Sequence, residues 1–511
     1  MQHLLFLTVL FLAGTSLLTA QHGISEDMLN TLRAQGVNID GPVPPMTATS
    51  ISETGIDIDY SATRGELVHF ERYNNLSHSE AFAEQRDADM EFYNEIGLHG
   101  KVYRVWMEQN RFFNEQTGKV EFHEMVDYLN DASQVTDYLM VNCNHLGPVT
   151  DWELSEQEAV DRLATIFSAL KTRWPKVKYL EVTNEPDYSG EGFTPDNYYE
   201  IYRIYYQAVN KVNDDLQPEV PLQVGGPSTA QFSLEWMNGF LDDYKADKSK
   251  SKRLDFISYH GYFVRPDSAY ILFKDNPSLV HDQRERLNEV LRAQGIQTDI
   301  PVFITEMGLY PGPSFDDYPT MRYDHLRQAA GIPSLFYWYL EDEHTYPFNW
   351  VFRHQTEGRK DQLVSRNERG EPYVHTGKLT PYGNMLLMMS MMKQERLEVE
   401  LTDSIVAGKG VYAMAAKDSS GLSVLVWNFQ GTATEGYNVS LNLKHLAGEL
   451  NGGKAVLKTY RIDKENSNYH TNLDQANLQL TGKELVDLQD SFSTSLRMDP
   501  NSLCLLILEP Q

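Results

Sequence analysis

Two cysteines, Cys143 and Cys504, are all that the 511 residues contain. One pair is too few for a disulfide framework or a multi-cysteine zinc site. Basic residues are scarce as well: 44 Lys and Arg stand against 72 Asp and Glu, a formal charge of −28. A surface that acidic repels phosphate backbones, which argues against a nucleic-acid partner. Beyond the first twenty residues no apolar run reaches the ~18 residues that a membrane-spanning helix requires. No Gly-x-Ser-x-Gly occurs between a strand and a helix, so there is no sign of a serine nucleophile elbow. The first candidate strand, Val68-His69-Phe70-Glu71, carries one histidine where a metal hydrolase would present two, and no metal or other cofactor is expected. The turn after it, Asn74-Asn75-Leu76-Ser77, has no glycine to approach a dinucleotide phosphate, which weighs against a doubly wound open sheet.

What remains is ordinary globular composition, 41% hydrophobic and 23% charged, in a length that suits one large domain and one small one. Residues 4–20 are almost wholly apolar and end at Leu18-Thr19-Ala20, a small-residue cleavage context. They read as an export signal over 1–20, which predicts a secreted or periplasmic mature chain. Short β-branched or aromatic runs then recur at 67–72, 102–106, 138–142, 179–183, 222–225, 255–259, 302–305 and 335–339. Helical stretches separate them: Ser155 and Glu158 form a capping box, and Thr194-Pro195 places a cap and an N1 proline before a helix from Tyr198. Eight such βα units predict an α/β fold, a (β/α)8 TIM barrel over 66–397. From 398 to 511 the texture changes to alternating strands separated by Gly, Asn, Asp and Ser, which predicts an antiparallel β-sandwich. Residues 21–65 are expected to wrap back and add a strand to it.

Active sites of such barrels lie at the C-terminal strand ends. Strand 4 runs into Asn184-Glu185-Pro186-Asp187 and strand 7 into Glu306-Met307-Gly308, so two glutamates emerge at one rim. Glycosidic cleavage needs such a pair, one carboxyl to protonate the leaving oxygen and one to attack or to activate water. Asn184-Glu185-Pro186 and Ile304-Thr305-Glu306 resemble the acid/base and nucleophile motifs of the retaining clan A glycoside hydrolases. Within that clan the chain is similar to family 39 (β-xylosidases, iduronidases and relatives), with family 86 (β-agarases and β-porphyranases) a close second. The resemblance implies Glu185 as general acid/base, Glu306 as nucleophile and a carbohydrate substrate. A non-catalytic carbohydrate-binding protein would be expected to have lost one carboxylate, and both are present.

Other strand ends supply candidate binding residues. Arg104 is a cation inside an apolar strand and needs a partner, for which Glu306 is the natural choice. Asn184, Asn144 and His145 are expected to meet sugar hydroxyls, and the resemblance to the clan, in which a His or Tyr at this strand end holds the nucleophile, implies His260 or Tyr262 for that role. In 335–339, Trp338 resembles the clan's indole floor beneath the −1 sugar; Trp106 and Trp350 are weaker stacking candidates. The segment from Phe352 to Lys378 holds six basic and four acidic residues, a local excess of positive charge in an acidic chain. Arg353 and Arg359 in it predict an anionic glycan, a sulfated galactan or uronic polymer; a β-xylosidase-like exo-enzyme on neutral glycans is the alternative.

Overall fold

The computed structural model describes residues 47–76, 83–144, 153–262, 264–267, 270–273, 277–309, 324–352, 361–364, 376–406, 408–431, 433–450, 452–469 and 472–511. The expected leader, His145, Arg353 and Arg359 lie outside them.

After an entering strand β1 (Ser50–Glu66), eight parallel strands close into a barrel in chain order. They are β2 (Tyr73–Asn75), β3 (Gly100–Met107), β4 (Thr136–Cys143), β5 (Val177–Val182), β6 (Gln223–Thr229), β7 (Phe256–Tyr262), β8 (Val302–Gly308) and β9 (Thr345–Asn349). The helices, in order, are α1 (Ala83–Glu95), α2 (Met125–Gln134), α3 (Glu156–Arg173), α4 (Tyr198–Leu216), α5 (Leu234–Ala246), α6 (Leu279–Gln294), α7 (Asp324–Tyr339) and α8 (Pro381–Ser390). Helix α3 starts as its sequence requires: the Ser155 side chain accepts from the Glu158 backbone and the Glu158 carboxylate returns the bond. Helix α4 differs, because Asn197, not Thr194, is its N-cap residue; Thr194-Pro195 forms the preceding turn, in which the Asn197 amide donates to the Thr194 carbonyl.

Two expected strands move. Residues 67–69 lie in no strand and 70–72 form a 3-10 turn, so the first barrel strand is the three-residue β2. Residues 335–339 are the last turn of α7, and the eighth strand is β9. An apolar run of five residues has no period that separates a buried strand from a buried helix. Here Leu335, Phe336 and Tyr339 are buried in the main core, while the half-buried Tyr337 meets Tyr412 of the second sheet at 5.3 Å.

Period-two alternation sorts the barrel side chains. Tyr73, Val102, Tyr138, Met140, Tyr179, Phe256, Phe303, Tyr346 and Phe348 form a separate apolar cluster that plugs the N-terminal end of the barrel interior. Their neighbours Tyr103, Val105, Leu139, Val141, Leu180, Ile257 and Ile304 belong to the core under the helices. Above the plug the same alternation places Asn75, Arg104, Asn142, Glu181, Ser258 and Thr305 inside, and the rim follows. The small Gly225 of β6 matters for closure, because a Cβ there would collide with the Phe256 carbonyl oxygen on β7.

Apart from two short hairpins in the barrel loops, Phe113–Asn114 with Lys119–Val120 and Val264–Asp267 with Tyr270–Phe273, the strands that follow the barrel are β10 (Glu395–Leu401), β11 (Gly410–Asp418), β12 (Gly421–Phe429), β13 (Glu435–Lys444), β14 (Lys454–Ile462), β15 (Gln479–Asp487), β16 (Phe492–Met498) and β17 (Leu503–Pro510). With β1 they make one nine-stranded sheet in the order β15-β14-β17-β12-β11-β10-β1-β13-β16. Every pair is antiparallel except β1 with β13. Both halves of the sheet feed one buried cluster, from Ile56, Val439 and Leu441 to Ala455, Leu457 and Leu506, so the sheet folds over on its own core.

Candidate active site

Strand β3 presents Val102, Arg104 and Trp106 inward in three successive layers. Arg104 is fully buried. Its Nε donates to Glu181 Oε2 at 2.7 Å, one terminal nitrogen to Glu306 Oε1 at 2.8 Å, and the other to Asn184 Oδ1 at 2.7 Å. Burial works against charge on the guanidinium, but the Glu181 and Glu306 carboxylates outweigh it and hold its pKa above the usual value. Glu181 behaves in the mirror sense: burial pushes its pKa up, and Arg104 beside it brings it below the ordinary carboxylate range. Removing one partner from a buried pair of this kind costs about 3–5 kcal/mol.

Glu306 reaches the interior through a register irregularity. Between Ile304 and Glu306 the pairing of β8 with β7 shifts by one residue. The extra residue, Thr305, re-aims the strand so that Glu306 turns inward although Ile304 and Met307 both pack outward. Tyr262 donates its hydroxyl to Glu306 Oε2 at 2.7 Å, while Arg104 holds Oε1. Burial, and next the Glu306 charge, raise the Tyr262 pKa, so the phenol stays protonated as a donor.

Glu185 arrives by a different route. Strand β5 ends in a bend where Thr183 (φ 63°) and Glu185 (φ 48°) are both left-handed, a conformation that costs non-glycine residues on the order of 1–3 kcal/mol each. The bend is pinned by Thr183 N–H to the Cys143 carbonyl and by Glu185 N–H to the Ser228 carbonyl. His260 Nδ1 lies 2.8 Å from Glu185 Oε1 and 3.6 Å from Glu306 Oε2. Burial would lower the His260 pKa, but Glu306 and Glu185 raise it. Burial would raise that of Glu185, but the bond to His260 and its charge lower it. One oxygen of each carboxylate and one imidazole nitrogen all lie within 4.8 Å of one another. That trio could hold a divalent cation, but Arg104 and the His260 imidazolium already supply positive charge to both carboxylates.

The structure therefore brings Arg104, Asn184, Glu185, His260, Tyr262 and Glu306 into one cluster. Asn184 turns its Oδ1 to Arg104, which leaves its NH2 as the end able to donate to a ligand. Asn144 follows β4 at the rim, half-buried, with its backbone N–H on the Met107 carbonyl. Trp338 is a correction. It sits on α7, edge-on to Tyr337 at 5.3 Å on the side facing the second sheet, away from the barrel interior. The indole at the end of the true eighth strand is Trp350, two residues past the inward Phe348. It meets Trp106 at 5.5 Å in an edge-on contact across the short β2, and the Arg104 guanidinium lies 4.6 Å from the Trp106 ring centre. Lys378, counted with the basic segment, donates to the Leu473 carbonyl of the second sheet region. Glu181, Asn142 and Asn75 went unread in the sequence. The available signal was a carboxylate inside a strand otherwise buried, the same signal that singled out Arg104.

Glycosyl hydrolases family 39 matches residues 119–476. The chain belongs to this family. As a family 39 member it is a glycoside hydrolase with the clan A barrel. Its fold is similar to that of the GH39 enzyme from Xanthomonas axonopodis pv. citri (TM-score 0.69, 14% identity, 90% of this chain and 98% of that one). It is also similar to a monomeric β-xylosidase from Caulobacter crescentus CB15 (0.68, 15%, 90% and 100%). It is similar as well to a GH86 enzyme in complex with neoagarooctaose (TM-score 0.59, 12% identity, 89% of this chain and 78% of that one). No curated protein sequence matches the chain. No helix among the described residues is long and apolar enough to cross a membrane.

Proposed function

We propose that this family 39 enzyme cleaves a β-glycosidic bond by double displacement, with Glu306 as nucleophile and Glu185 as acid/base. The observation that carries the reading is the pair itself: two carboxylates with oxygens within 4.8 Å, one clamped on both oxygens and the other sharing a proton with an imidazole. So short an oxygen–oxygen approach suits the retaining separation of about 5–5.5 Å rather than the wider inverting one.

In the first step a Glu306 oxygen bonds to the anomeric carbon while the bond to the leaving oxygen breaks. Glu185 gives that oxygen a proton. The proton reaches Glu185 along its existing hydrogen bond with His260, and the transfer is favoured as Glu306 loses its negative charge to the new ester. In the second step water attacks the same carbon, its proton goes to Glu185, and the Glu306 carboxylate leaves. Two displacements retain the anomeric configuration. Proton NMR of the first-formed hemiacetal should show the anomer of the substrate; the opposite anomer would remove Glu306 from the nucleophile's role.

The substrate proposed is an anionic glycan, a sulfated galactan or a uronic-acid polymer. Support comes from the basic excess between Phe352 and Lys378, which follows β9 in the chain. Turnover of the anionic polymer should fall as salt rises, because screening acts within about 10 Å at 0.1 M. Arg353→Ala with Arg359→Ala should remove that dependence. Equal turnover of a desulfated or neutral polymer, insensitive to both substitutions, would leave the β-xylosidase-like reading in its place.

A further inference from the structure

We infer that Glu181, which touches neither of the reacting groups, is a positioning residue that sets both the direction and the strength of Arg104's hold on the nucleophile. The inference rests on the reading of Glu306 as nucleophile.

The guanidinium is a rigid planar fork, so fixing one edge fixes where the others point. Glu181 holds the Nε edge at 2.7 Å, and the two terminal nitrogens then reach Glu306 and Asn184 at 2.8 and 2.7 Å. Glu181 is fully buried, one layer below the rim and one above the aromatic plug, where a carboxylate needs partners on more than one side. Asn142 adds a second bond to the oxygen that Arg104 holds: its amide donates to Glu181 Oε2 at 2.9 Å and also to the Thr183 carbonyl at 2.6 Å. Thr183 opens the left-handed bend that carries Asn184 and Glu185. One bracket, Asn142–Glu181, thus ties the plane of the guanidinium to the bend bearing the acid/base.

The charge count points the same way. Arg104 facing Glu306 alone would spend its whole charge on the nucleophile and resist its attack. Shared between two buried carboxylates, it orients Glu306 while holding it less tightly. The charged groups around Glu306 are Arg104, Glu181, the His260–Glu185 pair and the protonated Tyr262. Glu181→Gln keeps the shape and removes one charge from that set.

Glu181→Gln should lower kcat by about 10- to 100-fold with little change in KM, the size of loss that misplaced reacting groups produce. The acid limb of kcat/KM should move to lower pH, because the guanidinium's charge then falls undivided on Glu306. Glu181→Asp, which keeps the charge, should leave the limb where it is while losing part of kcat. If Glu181→Gln does not fold, Asn142→Ala decides: it leaves both charges in place and loosens the bracket, so kcat falls, KM holds and the limb does not move down. Unchanged kcat and an unchanged limb in Glu181→Gln, or unchanged kcat in Asn142→Ala, would overturn the inference. A 2-deoxy-2-fluoro glycoside separates this from the premise. Label on Glu306 with normal trapping rates in Glu181→Gln sinks only the role of Glu181. Label on another residue sinks the assignment of Glu306 and the inference with it.

Discussion

Glu306→Ala should remove turnover on every substrate, aryl or natural, by a factor on the order of 10⁴ or more, the scale seen when a covalent nucleophile is deleted. No nearby group replaces it. Tyr262 stays protonated, Glu181 is sealed a layer below, and Glu185 is engaged by His260. The cavity left by the carboxylate lies against Arg104, which then has only Glu181 as an anionic partner. That leaves a cationic recess where a small anion fits. Azide with an activated aryl glycoside should therefore restore turnover and form the glycosyl azide of inverted configuration, since one displacement replaces two. Wild-type rates in Glu306→Ala, or azide rescue that retains configuration, would refute the assignment.

Glu185→Ala should divide substrates by leaving group. A good leaving group such as dinitrophenolate departs without a proton, so the first step is little affected. A sugar alkoxide needs the proton and loses about 10²- to 10⁴-fold, the usual contribution of general acid catalysis. The second step slows for all substrates, because no base takes the proton of the attacking water. Azide needs no base and should restore it, giving this time the glycosyl azide of retained configuration. The opposed configurations of the two azide products assign the carboxylates independently of rates. Equal losses on aryl and natural glycosides, with no azide effect, would dismiss Glu185 as acid/base. His260 should modulate this behaviour through the 2.8 Å bond, because Glu306 and Glu185 raise its pKa against the effect of burial and so keep a proton beside Glu185.

Much of this site was legible along the chain because the signals are local. Asn184-Glu185-Pro186 and Ile304-Thr305-Glu306 each pair a strand with its own carboxylate, and the barrel rule brings strand ends to one rim. Arg104 announced a buried partner by being a cation in an apolar run, and the partner expected, Glu306, is there at 2.8 Å. The helix cap at Ser155 and the alternating strands after 398 are likewise properties of a few adjacent residues.

What tertiary structure decided lies where local signals conflict or where partners are far apart. Leu335–Tyr339 is rich in strand-forming aromatics, yet it is helix, because α7 is covered by the barrel core on one side and by Tyr412 and Trp427 on the other. The true eighth strand, Thr-Tyr-Pro-Phe-Asn, contains a proline and an asparagine and looks weak; barrel closure fixes it through pairs with β8 and β2. That displacement moves the candidate sugar floor from Trp338 to Trp350. The inward turn of Glu306 depends on a pairing irregularity that exists only once β7 and β8 are aligned. The couplings of Arg104 to Glu181 and to Glu306 join residues 77 and 202 positions apart. A sequence specifies the side chains that such a cluster requires, but their distances and shared charge come into being only when the barrel closes and excludes water.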